Sequence, residues 1–184
     1  MIEHRLTNET AGPVTIASWA LTVMKPGGFE IIPQPPFRDH GKGGFLPERV
    51  VVPWSYTDFS DPRWKFGSKF WLLTPAPNTK ATKLGFAHLP RWVAWTRKDA
   101  LFLKAFEYEQ GATYPDFGCN YETFTQGDFL ELESLGRLRT LEPGQSVGNT
   151  ETWHLFAGVT PPAGLDDAAL EKWLAPFLAQ TGLA

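Results

Sequence analysis

Phe129-Leu130-Glu131-Leu132-Glu133 alternates apolar and acidic side chains with a period of two. In an extended strand this sets Leu130 and Leu132 on one face and both glutamates on the other. Val14-Thr15-Ile16-Ala17 shows a similar alternation. Outward from these stretches the pattern is strand, turn, strand. Strands are expected at Ile2–Thr7, Val14–Met24, Phe29–Ile32, Val50–Trp54, Lys69–Leu73, Lys83–Leu89, Arg91–Trp95, Leu101–Glu109, Gly118–Phe124, Phe129–Ser134 and Ser146–Phe156. Lys25-Pro26-Gly27-Gly28 and Glu142-Pro143-Gly144-Gln145 place Pro then Gly at the central positions of type II turns. Pro33–Pro47 and Asp58–Lys65 read as loops. One helix is expected, over about 166–180: Asp166 or Asp167 caps it, Leu170, Trp173, Leu174 and Phe177 form its apolar stripe, and Pro176 kinks it or ends it early. The fold class is therefore all-β, an antiparallel β-sandwich with one C-terminal helix, in a single domain over 1–184.

Composition narrows the function. The chain has 184 residues and a net charge of -3, so no basic surface points to nucleic acid and no cationic amphipathic segment to a membrane. One cysteine, Cys119, precludes an internal disulfide, and no apolar leader opens the chain, which suits a reducing cytoplasm. Aromatic residues reach 14% and include eight tryptophans, which serve core packing and also offer flat faces for sugar rings. No nucleophile elbow, phosphate-cradling glycine loop or paired-cysteine zinc motif occurs, and no cofactor is expected. The four histidines are too dispersed for a local metal motif.

The segment Tyr114-Pro115-Asp116-Phe117-Gly118-Cys119-Asn120-Tyr121-Glu122-Thr123-Phe124 crowds polar and aromatic groups into a strand entered through a Pro-Asp turn. If it is extended, Gly118, Asn120, Glu122 and Phe124 share a face and Cys119 lies on the opposite one. A carboxylate beside an amide and an aromatic suits sugar hydroxyls; a solvated strand face is the plainer reading of Glu122. Lys83 and Lys104 sit in otherwise apolar strands, so each points to water or meets a carboxylate. Asp116 is a candidate partner for either, or simply the turn residue beside Pro115. Arg63, Trp64, Trp92 and Trp95 offer a stacking wall or, for the tryptophans, core packing. Tyr114, Asn120 and Glu131 complete the candidate binding set.

Asn120-Tyr121-Glu122-Thr123, then Leu141-Glu142-Pro143-Gly144-Gln145, then Thr152-Trp153-His154-Leu155-Phe156 resemble the last strands of galactose-mutarotase-like β-supersandwich proteins. Trp54-Ser55-Tyr56-Thr57-Asp58, Tyr114-Pro115-Asp116 and the run from Phe129 to Gly136 resemble uncharacterised bacterial members of that superfamily. The resemblance implies a carbohydrate ligand and matches Glu122 to the catalytic base of aldose 1-epimerases. It also implies an acid partner, for which His88 is the candidate here because imidazole titrates near neutral pH. Full members are longer, so the chain corresponds to their C-terminal half, and a homodimer is one way to supply the remainder. Three readings stay open: an epimerase-like acid/base enzyme using Glu122, a glycoside hydrolase or lyase pairing Glu122 with Asp116 or Glu131, and a non-catalytic carbohydrate-binding sandwich.

Overall fold

A computed structural model describes residues 1–87 and 90–183. Its strands are Ile2–Thr7 (β1), Val14–Ile16 (β2), Trp19–Met24 (β3), Gly28–Pro33 (β4), Val51–Pro53 (β5), Trp64–Phe66 (β6), Phe70–Leu73 (β7), Thr82–Phe86 (β8), Trp92–Arg97 (β9), Ala100–Phe106 (β10), Tyr121–Gln126 (β11), Phe129–Leu135 (β12), Arg139–Leu141 (β13) and Ser146–Ala157 (β14). They form a seven-stranded sheet in the order β1-β14-β10-β9-β4-β7-β6, a five-stranded sheet in the order β3-β12-β11-β8-β5, and a two-stranded ribbon, β13-β2. All pairings are antiparallel. The all-β sandwich with one C-terminal helix is thus the observed fold.

Period-two alternation builds the core between the sheets. Leu130 and Leu132 of β12, with Leu84, Phe86 and Tyr121, meet Ile32, Leu73, Val93, Trp95, Phe102 and Phe106 of the larger sheet. The outer face of the larger sheet is covered by the helix Asp167–Thr181 (α1), which buries Leu170 and Leu174 against Ile31, Leu72, Ala94, Leu101 and Leu103. Asp166 caps it, its carboxylate accepting from Ala169 N. Pro176 does not end the helix, which runs on to Thr181 with Trp173 and Phe177 packed on the sheet. That packing offsets the missing backbone donor. Among the described residues no helix or strand covers the outer face of the five-stranded sheet, and Trp19, Leu21 and Val23 of its edge strand β3 are exposed there.

Several boundaries differ from the sequence expectation. Val14–Met24 is two strands in different sheets, parted at Ala17-Ser18, because β2 pairs with β13 while β3 pairs with β12. β6 and β13 are only three residues long, too short for periodicity to reveal. Tyr114–Asn120 is not strand: Asp116 and Phe117 adopt φ of 49° and 62°, and Cys119 N donates to Pro115 O across the resulting turn. At the two expected type II turns Gly27 and Gly144 take the required positive φ, 86° and 82°, and at the second Gln145 N donates to Glu142 O.

The interior is not wholly apolar. Glu30 of β4 is fully buried and accepts hydrogen bonds from Thr123 Oγ1 (2.6 Å) and Tyr121 Oη. Burial pushes its carboxyl up to about 8, against the pull of those two hydroxyls. Lys104 of β10 is also fully buried and pairs with Glu151 Oε1 at 2.9 Å, with further bonds to Thr22 Oγ1 and Leu132 O.

Candidate functional site

Three neighbouring strands of the smaller sheet alternate in phase. β11 turns Tyr121, Thr123 and Thr125 inward and Glu122 and Phe124 outward; β12 turns Glu131 and Glu133 outward; β8 turns Lys83 and Gly85 outward. Glu122 stands directly opposite Glu133 on one side and Gly85 on the other. Phe124 stands opposite Glu131 and Lys83, which makes Lys83 the diagonal neighbour of Glu122. The lysine reaches across this diagonal. Its Nζ lies 2.7 Å from Glu122 Oε2 and 2.7 Å from Glu133 Oε2.

Aromatic side chains close over the triad. Trp19 of β3 donates its indole N–H to Glu133 Oε2 at 2.7 Å. The Lys83 ammonium lies 5.1 Å from the Trp19 ring centroid and 4.7 Å from that of Trp54, so two π-faces bracket one cation. Tyr56 packs edge-on to Phe124. Gly85 permits this closure: a Cβ there would lie 2.5 Å from Cys119 Sγ and 3.1 Å from the Trp54 ring. The triad is consequently shut off from solvent, with Lys83 6% and Glu122 1% exposed. Among the described residues Glu122 Oε1 and Glu133 Oε1 are buried without a hydrogen-bond donor.

The electrostatics follow from that enclosure. Burial is the largest influence on Glu122 and pushes its carboxyl up to about 7. Lys83 pulls against this, while the charge of Glu133 and the nearby Asp116 carboxyl push the same way as burial. Burial acts to lower the Lys83 pKa, but its bonds to Glu122 and Glu133 outweigh it and hold the ammonium above the lysine range. The site therefore contains one firmly held positive charge and a carboxyl poised to exchange a proton near neutrality. Among the described residues no group of three or more His, Cys, Asp or Glu side chains could hold a metal ion.

No family model, curated protein or solved structure matches the chain.

Of the residues singled out from the sequence, the fold brings Glu122, Lys83, Asp116 and Glu131 together. The turn at Asp116-Phe117 carries Asp116 close to Glu122, and among the described residues it forms no ion pair with either lysine. Glu131 lies at the margin of the triad, its carboxyl raised by burial and by Glu133. Cys119 sits over Gly85 on the same face as Glu122, not the opposite one, because the chain is still turning there. Burial, with Glu122 and Asp116 nearby, pushes its thiol up to about 12.

The other candidates are elsewhere. Lys104 meets its carboxylate, Glu151, between the sheets, since its β10 position faces the core. Trp64 and Trp95 are core residues between the sheets, and Trp92 packs under α1; none forms a stacking wall beside Glu122. Arg63 is locked into its own loop by Asp61 at 2.6 Å, Thr79 Oγ1 and Lys80 O. Tyr114 is buried against Tyr108 and accepts from Glu109 N, and Asn120 is buried with its amide donating to Glu107 O. His88 lies outside the described residues. Sequence reading did not single out Glu133, Trp19, Trp54 or Tyr56 for the site. The alternation at Phe129–Glu133 had already put Glu133 on the outward face; only the register with Glu122 was lacking.

Proposed function

We propose that this chain is a carbohydrate-active acid/base protein in which Glu122 transfers the proton. The observation that carries the reading is the shared ammonium: Lys83 holds Glu122 and Glu133 at 2.7 Å each, beneath two indole rings. Sugar rings are recognised by stacking on aromatic faces and by hydrogen bonds from hydroxyls to carboxylates. Both elements are here, and the two donor-free carboxylate oxygens are acceptors that a pair of hydroxyls would satisfy. Trp19, on an edge strand and 55% exposed, is the covering group whose displacement opens the triad. Glu122 then takes the anomeric proton, with Lys83 and Glu133 setting its charge. His88 is the candidate for the opposing acid, since Asp116 lies beside Glu122 itself. The cytoplasmic setting we assign rests on the single cysteine. No described helix is long and apolar enough to cross a membrane.

A glycoside hydrolase reading has one observation in its favour. Two carboxylate oxygens bound to one nitrogen lie within the separation of a retaining pair, roughly 5–5.5 Å. Against it, the Lys83 ammonium occupies the space between them where an anomeric carbon would sit.

The test is anomeric exchange by NMR on a set of aldoses, with aryl glycosides in parallel, for the wild type and Glu122→Gln. The epimerase-like reading expects exchange to fall by about 10²-fold or more in the variant, the usual worth of a positioned acid/base group. Cleavage of an aryl glycoside moves the assignment to hydrolysis. Binding without turnover leaves a carbohydrate-binding module. Undiminished exchange in Glu122→Gln removes this residue from the chemistry.

A further inference from the structure

A second site lies at the end of the larger sheet beside the C-terminal end of α1, and its lining does not include Glu122. A cavity of about 1120 Å³ opens between the extended segment after β4, the start of β7, the start of β9 and the C-terminal end of α1. This is at or above the roughly 300–1,000 Å³ range of small-molecule pockets. Its apolar walls are Phe37, Phe70, Trp92 and Phe106. Phe70, Trp92 and Phe106 are each buried, whereas Phe37 is 74% exposed and forms the outer wall.

The polar groups in this cavity are few and differ in how well they are paired. Lys69 and Glu171 neutralise each other at 2.6 Å on the rim. Arg91, exposed at the mouth of the cavity, has no acidic or hydrogen-bonding partner for its guanidinium among the described residues, so the rim carries one solvent-facing positive charge not paired within the protein. Gln34, 8% exposed, also lines the cavity, and its amide makes a single hydrogen bond at the long distance of 3.4 Å, to Ile32 O. A buried amide so weakly engaged has capacity to spare. An unpaired guanidinium is a fork shaped for a carboxylate.

We infer that this cavity binds a small organic carboxylate with a flat apolar body, the body lying between the aromatic walls and the carboxylate on Arg91, with Gln34 as a further donor. Charge and shape both favour it: a carboxylate gains a charge-assisted pair with Arg91 that a neutral ligand cannot make, and a polar anion leaves the aromatic walls unfilled.

Arg91 allows a clean test. Its φ is 58°, a conformation that glycine adopts without cost, so Arg91→Gly removes the side chain without straining the backbone. The probes are 4-phenylbutyrate and its neutral amide, titrated against the full chain by ligand-observed saturation-transfer NMR. The wild type is expected to bind the carboxylate at least about tenfold more tightly than the amide, the scale of one charge-assisted pair. Arg91→Gly should erase that preference, Phe37→Ala should weaken both probes, and Glu122→Gln should change neither. Equal binding of acid and amide by the wild type, an Arg91→Gly variant that retains the preference, or no saturation transfer at millimolar ligand would each overturn the proposal. The Glu122→Gln control keeps this result independent of the chemistry proposed for the triad.

Discussion

Glu122→Gln should make this protein less sensitive to pH, by an amount the structure allows to be worked out. The Glu122 carboxyl moves from an ordinary 4.5 to about 7 on folding. A tenfold change in proton affinity is worth about 1.36 kcal/mol, so the linked free energy is about 3 kcal/mol. The pKa is raised in the folded state, so between these two values the native protein binds more protons than the unfolded chain. The stabilising contribution is complete below about 4.5, declines as pH rises toward about 7, and levels off above it. Glutamine mimics the protonated acid and cannot titrate. Urea unfolding of both proteins from about pH 4.5 to about pH 8.5 gives a difference curve from which shared groups, including Glu30, cancel. Wild type minus variant should fall by about 3 kcal/mol on going from acid to neutral pH and then stay flat. A level difference curve, or one that rises, would refute the claim that burial in the triad outweighs Lys83 at Glu122.

Other consequences follow from the same geometry. Lys104→Met leaves Glu151 buried without its cation and should cost about 3–5 kcal/mol in denaturant unfolding, whereas the double variant with Glu151→Leu should recover much of that loss. Gly85→Ala drives a methyl toward Cys119 Sγ and the Trp54 ring and should destabilise by about 1–3 kcal/mol, with a change in tryptophan fluorescence reporting displacement of Trp54. Cys119, fully buried with its thiol pushed up to about 12, should resist a thiol reagent at mildly alkaline pH in the native state and react at once in urea.

The alternation at Phe129–Glu133 and the Pro-Gly turns were enough to specify short antiparallel strands with one apolar face, because side-chain direction in a strand depends only on residue parity. The stripe Leu170, Trp173, Leu174 and Phe177 behind Asp166 likewise specified the helix. Glu122 was legible as a carboxylate on a strand, and Lys83 as a cation in an apolar context that needed a partner. Sequence alone could not pair them. Lys83 and Lys104 look alike in their strands, yet one reaches the outer-face carboxylates and the other is sealed between the sheets with Glu151. That choice rests on which residues stand opposite in register and which face the second sheet covers, both of which depend on contacts far apart along the chain. The position of Asp116 rested on two left-handed residues whose types, Asp and Phe, do not announce them. Glu133, Trp19 and Trp54 joined the site for the same reason: β3, β5, β8, β11 and β12 become neighbours only when the sheet closes, and burial then creates the raised carboxyl that no isolated strand would possess.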